Sequence, residues 1–132
     1  MCILLCPTHP RLPRSVPRTG FRNHAPNAAQ LLRETLARPQ YVPRPIAMGT
    51  NTDPYQPIEK RYEITRQILE LCLETRHPVT ITTKSDRVLR DIDLLTELAE
   101  HRLAVVSISV TSLEPVLSGK LEPRAASPEK RL

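Results

Sequence analysis

The chain has 132 residues, room for one small domain, with 39% apolar residues to form a core and a formal net charge of +5. Three cysteines, an odd count at no framework spacing, argue against a secreted disulfide fold, and no apolar run approaches the length of a membrane span. The apolar start, MCILLC, lacks the length and basic flank of a signal peptide, so the chain reads as cytoplasmic, with no membrane partner.

The charge is uneven. The first acidic residue is Glu34, and Arg11, Arg14, Arg18, Arg22 and Arg33 precede it. Pro7, Pro10, Pro13 and Pro17 break any helix there. Residues 1–25 therefore read as an irregular, basic Pro/Arg-rich head. Its arginines could meet phosphates, but it lacks the interleaved aromatics of single-strand binders. A domain is expected over 26–132. PNAAQLLRETLAR predicts a helix over 27–38, closed by Pro39 and Pro43. RPIAMGT, 44–50, is a short buried strand. From Pro57 to Arg76 the pattern is helical, with Ile58, Tyr62, Thr65, Leu69 and Cys72 on one stripe. PVTITTKSD supplies a β-branched strand, and Ser85 or Asp86 can cap the next helix. That helix has the stripe Val88, Ile92, Leu95 and Ala99 and ends near His101. LAVVSISVTS predicts a third strand over 103–111. A short helix and loop follow, and SPEKRL has the form of a helix start.

Strands alternate with helices and no hairpin signal appears. The expected fold class is α/β with parallel strands and right-handed crossovers. Ligands of such folds sit at the carboxyl ends of the strands. Here those ends carry Thr50-Asn51-Thr52-Asp53, Thr83-Lys84-Ser85-Asp86 and Ser107, Ser109, Thr111 and Ser112. Taken singly, Ser85, Asp86 and Ser112 read more simply as helix caps, and Asp53 before Pro54 as a turn former. Lys84, directly after a strand, is placed to meet a carboxylate or phosphate. Cys72, on the apolar stripe, reads as core. His77 and His101 read as helix C-terminal residues that favour the helix dipole.

GTNTDPYQPIEKR, 49–61, closely resembles the second-strand segment of the radical S-adenosylmethionine proteins related to spore photoproduct lyase. So do PTH at 7–9, PNAAQLLRETLARP, RHPVTITTKSDRVLRDIDLL, VSISVTSLE and KLEPRAASPEKRL. The resemblance spans nearly everything from Asn27 to Leu132. It implies a partial (β/α) barrel and a four-iron, four-sulfur (4Fe-4S) cluster held by three thiolates in C-x3-C-x2-C. It also implies S-adenosylmethionine on the cluster, a deoxyadenosyl radical as oxidant, and a reducing partner such as a flavodoxin or ferredoxin. In spore photoproduct lyase the substrate is a thymine lesion in DNA, so lyase-like chemistry on nucleic acid is one implied outcome. Carried over by residue, Thr52, Asp53 and Tyr55 would face the cofactor. Lys84 and Ser109 would hold its methionine end, and Arg124 would be a further rim contact, oriented by Glu122. The cluster motif departs from the family's: Cys2 and Cys6 stand at x3 spacing and the third position is His9. Two alignments stay open, one with His9 as third ligand, the other with Cys2 standing for the family's last cysteine. On either, the chain reads as an N-terminally degenerate or truncated fragment of the domain. Three alternatives are a cluster-free nucleotide- or anion-binding module anchored by Lys84 and Arg124, a nucleic-acid contact through the basic head, and a non-functional, pseudogene-like product that folds poorly alone.

Overall fold

Helix formation begins where the N-terminal prolines end. A computed structural model describes residues 27–132, so the basic head, with Cys2, Cys6 and His9, lies outside the described residues. Helix α1 (Ala28–Leu36) agrees with the expected span. It packs on the helix before the second strand, where Arg33 forks onto the Glu74 carboxylate at 2.7 and 2.6 Å. Strand β1 (Ile46–Met48) is shorter than the apolar run around it. Gly49, at φ +95°, turns the chain out of the sheet.

The single helix expected from 57 to 76 is two. Helix α2 (Glu59–Tyr62) ends at Glu63, whose φ of +48° is left-handed, and α3 (Ile64–Glu74) starts from it. The buried Glu59 carboxylate accepts the Thr65 N–H at 3.0 Å, and the Thr65 hydroxyl donates to the Pro54 carbonyl at 2.7 Å. These long-range partners override a continuous helical pattern. Strand β2 (Val79–Thr83) leads into a 3-10 helix (Asp86–Asp91), in which the Ser85 hydroxyl accepts the Arg87 N–H at 3.2 Å as the expected cap. Helix α4 (Ile92–Glu100) continues it. The tighter 3-10 winding rotates the buried face. Val88 and Leu95 are buried as expected, but Asp91 and Leu98 complete the stripe, while Ile92 and Ala99 face out. Strand β3 (Ala104–Ile108) and the short helices α5 (Pro115–Leu121) and α6 (Pro128–Arg131) finish the chain.

Helices α3 and α4 stop in the same way. Arg76 and Arg102 take left-handed φ values of +51° and +59°. The next N–H in each case returns to an earlier carbonyl, His77 to Cys72 at 2.7 Å and Leu103 to Leu98 at 2.8 Å. His77 departs from the dipole role expected of it. It is buried, with Nε2 2.7 Å from the Tyr41 hydroxyl and Nδ1 3.0 Å from the Pro78 carbonyl, and it ties the segment after α1 to the start of β2.

The three strands form one parallel sheet in the order β1-β2-β3, with Met48 opposite Ile81 and Ile81 opposite Val106. On β2, Val79, Ile81 and Thr83 are buried and Thr80 and Thr82 are half-buried. The core joins Val79 and Ile81 to Leu69 and Cys72 of α3, to Leu95 and Leu98 of α4, and to Val88 and Tyr55. Ala47, Thr80 and Val105 share a register row on the opposite face of the sheet. Beyond β3 no further strand pairs among the described residues, and Val105 is 59% exposed. An uncovered apolar edge strand templates association. The V105K variant is therefore expected to show less concentration-dependent light scattering than the parent at an unchanged melting temperature.

Candidate functional site

The three parallel strands deliver three loops to one end of the sheet, and Asp53 ties the first loop to the second. Its carboxylate accepts the Tyr55 N–H at 2.9 Å, the Thr83 hydroxyl at 2.8 and 2.9 Å, and the Lys84 N–H at 2.8 Å. The turn-forming role read from the sequence is present, and a cross-strand role is added to it. A carboxylate so fully engaged shapes the rim through the backbone it holds. Replacing Asp53 with alanine frees the Lys84 loop and leaves the buried Thr83 hydroxyl with no acceptor there. The expected loss is about 2–3 kcal/mol in a urea titration.

The other expected site residues separate. Thr52 is exposed. Tyr55 borders the rim but is only 2% exposed and belongs to the core, beneath the Arg90 guanidinium at 5.9 Å. Burial, and then the charge of Asp91, push its phenol far above its ordinary value. Lys84 does reach the rim, where its Nζ meets Glu122 Oε1 at 2.7 Å. Ser109 uses its backbone: its N–H donates to the Thr83 carbonyl at 2.9 Å, and its carbonyl accepts from Arg131 at 2.9 Å. Arg124 is exposed and makes no hydrogen bond or ion pair among the described residues.

Glu122 does not orient Arg124 as the sequence suggested. Besides Lys84 it accepts the Thr111 hydroxyl at 2.5 Å and Arg131 Nη1 at 2.7 Å. Arg131 is 1% exposed in its side chain and also donates to the Ala126 carbonyl at 2.7 Å. One carboxylate thus joins the ends of β2 and β3 to α6. Lys84 first, then Thr111 and Arg131, hold the Glu122 carboxyl down to about 2. A depressed folded value stabilises the fold above the ordinary carboxylate range. That contribution is lost as the pH falls from about 4.5 towards about 2. Urea titrations across this window should show a shallower acid loss for E122Q than for the parent chain.

Between the β2 exit and the segment joining α5 to α6 lies a cavity of about 840 Å³, bordered by Asp53, Tyr55, Lys84, Glu122 and Arg124. It is of the size that takes a small molecule or cofactor. Sequence reading missed Arg87, Ser127 and Lys130 on its wall. Gln56 also lines it, at the end of the polar run TNTDPYQ. No group of three metal-ligating side chains occurs among the described residues. Cys72, the one cysteine there, is sealed in the core, where burial pushes its thiol up to about 11.

The chain is 34% identical over 129 residues to an uncharacterized protein of Mycobacterium tuberculosis, covering 96% of this chain and 38% of that protein. An uncharacterized protein of Methanocaldococcus jannaschii is 35% identical over 97 residues, covering 74% of this chain and 36% of the relative. One from Acidianus two-tailed virus is 34% identical over 87 residues, covering 66% and 28%. The chain therefore spans 28% to 38% of the length of these relatives. No protein-family model matches the chain. No solved structure matches it either. No helix among the described residues is long and apolar enough to cross a membrane.

Proposed function

We propose that the chain is part of a radical S-adenosylmethionine domain of the spore photoproduct lyase-like branch, with the cavity at the strand ends as its cofactor pocket. The observation that carries this reading is the convergence of Asp53, Tyr55, Lys84 and Arg124 from three separate loops on that one cavity. The sequence resemblance singles out these four, together with Thr52 and Ser109, which do not line the cavity. The row of Ala47, Thr80 and Val105, on the sheet face opposite α3 and α4, suits the inner wall of a (β/α) barrel continued beyond β3.

The residues present fit an S-adenosylmethionine molecule. Lys84 would meet the carboxylate of the methionine end, and Arg124 would stand at the rim; Ser109, off the cavity wall, would act only through the β2 exit its N–H holds. Asp53 holds the backbone of Lys84, so the cation is placed before the ligand arrives. Glu122 shares Lys84 in the free chain, and ligand binding would exchange one carboxylate for another. For the iron–sulfur cluster the donors would be Cys2 and Cys6 with a third ligand, since Cys72 is enclosed in the core. When bound, the cofactors supply one-electron chemistry that removes a hydrogen atom from the substrate, with electrons from a flavodoxin- or ferredoxin-like partner.

Anaerobic reconstitution with iron and sulfide tests the proposal, read by visible absorption and electron paramagnetic resonance. A cluster signal that shifts on adding S-adenosylmethionine, and is lost in the C2A/C6A double variant, is the expected result. Absence of a cluster under conditions that load a full-length relative would sink the proposal for this chain.

A further inference from the structure

The polar groups around the cavity divide into those already engaged and those left over. Asp53 and Glu122 have their oxygens committed, Lys84 is paired with Glu122, and the Arg87 guanidinium donates to the Gln56 carbonyl at 3.1 Å. Apart from the enclosed Tyr55 hydroxyl, which has no hydrogen-bond partner among the described residues, four lining residues remain whose side chains carry no hydrogen bond or ion pair there: Gln56, Arg124, Ser127 and Lys130. Asp86 is a fifth, and the one acid of the set. The segment joining α5 to α6, and α6 itself, thus present two unpaired cations and a hydroxyl. The loop after β1 and the start of the 3-10 helix present an amide and a carboxylate.

We infer that this cavity, beyond the S-adenosylmethionine reading above, also admits a nucleoside phosphate that would compete with that cofactor, with Arg124, Lys130 and Ser127 on the phosphate and Asp86 and Gln56 on the sugar hydroxyls and base. Two cations and a hydroxyl donor match the oxygens of a phosphoryl group. A carboxylate repels phosphate but accepts well from a ribose diol, as the acidic residue of dinucleotide folds does. A purely anionic ligand would leave Asp86 opposed, and an uncharged nucleoside would leave Arg124 and Lys130 unused. The volume of about 840 Å³ is ample for a mononucleotide. Neither cation is needed to hold the fold, so both can be removed without disturbing it.

Isothermal titration of the iron-free chain with ADP, adenosine and pyrophosphate tests this directly. Because no cluster is required, it can fail while the radical-cofactor proposal stands, and the reverse. ADP should bind, with adenosine and pyrophosphate each roughly tenfold weaker or more. The R124A/K130A double variant should lose about tenfold or more in ADP affinity at an unchanged melting temperature. In D86N, ADP binding should weaken while pyrophosphate binding does not. No ADP binding, equal affinity for adenosine or for pyrophosphate, or an unaffected double variant would each overturn the assignment. A single-stranded oligonucleotide that binds more tightly than ADP would overturn the free nucleotide as occupant and put a nucleic-acid strand in its place.

Discussion

Replacing Gly49 with alanine should lower the unfolding free energy by roughly 2–5 kcal/mol, read as a lower urea midpoint at an unchanged slope. Two independent effects add at this position. The backbone stands at φ +95°, a region that only glycine enters at little cost. A Cβ there would also overlap the Thr82 carbonyl oxygen and come within 2.9 Å of its carbon. The neighbour is backbone in the central strand, so it cannot swing aside as a side chain would. Relief would have to come from β1, which is three residues long and joined to the sheet through β2 alone. G49A should therefore also misplace the loop carrying Asp53, and any ligand affinity of the cavity should fall with stability.

Asp91→Ala should be comparably damaging, at about 3–5 kcal/mol. The Asp91 side chain is fully buried and stands between two arginines. Arg90 meets it with Nε and Nη2, each at 2.9 Å, and Arg66 Nη1 lies at 3.2 Å. Arg90 reaches on to the Glu59 carbonyl at 3.0 Å, and Arg66 to Asp93 at 2.7 Å. Removing Asp91 leaves the partly enclosed Arg90 with the Glu59 carbonyl and, as its one opposite charge, the Glu59 carboxylate 3.4 Å away. It also removes the negative charge beside the Tyr55 phenol. Asp93→Ala is the control. That carboxylate is 58% exposed, so its ion pair with Arg66 is screened by water, and the variant should stay close to the parent in the same titration.

Glu59 shows how such contacts reshape local structure. From its sequence alone the stretch after Pro57 is one helix, since nothing from Ile58 to Thr75 is a helix breaker. The break at Glu63 exists because Glu59 and Pro54 supply acceptors to Thr65, and because Arg90, thirty-one residues on, holds Glu59. The inward face of α4 is decided in the same way. Asp91 turns into the protein to meet Arg66 and Arg90, and the 3-10 turn that brings it there moves Ile92 outward.

The cap expected at Ser112 falls instead to Glu114, whose carboxylate accepts the Val116 and Leu117 N–H groups. The sequence by itself determined the alternation of helices with parallel strands, the buried place of Cys72 and the cap at Ser85. It also determined that polar loops close all three strands at one end. Each of these follows from short-range periodicity and local hydrogen bonding, which a linear pattern records directly. Only the tertiary structure decided what the polar residues do there. Asp53 became a tie between two loops, Lys84 was drawn to Glu122, Glu122 turned away from Arg124 towards Arg131, and Tyr55 entered the core. These outcomes depend on charges and hydrogen-bonding groups meeting across separations of nine to thirty-eight residues. Residue spacing along the chain carries no record of such meetings, because they exist only once the sheet has brought the three strand ends together.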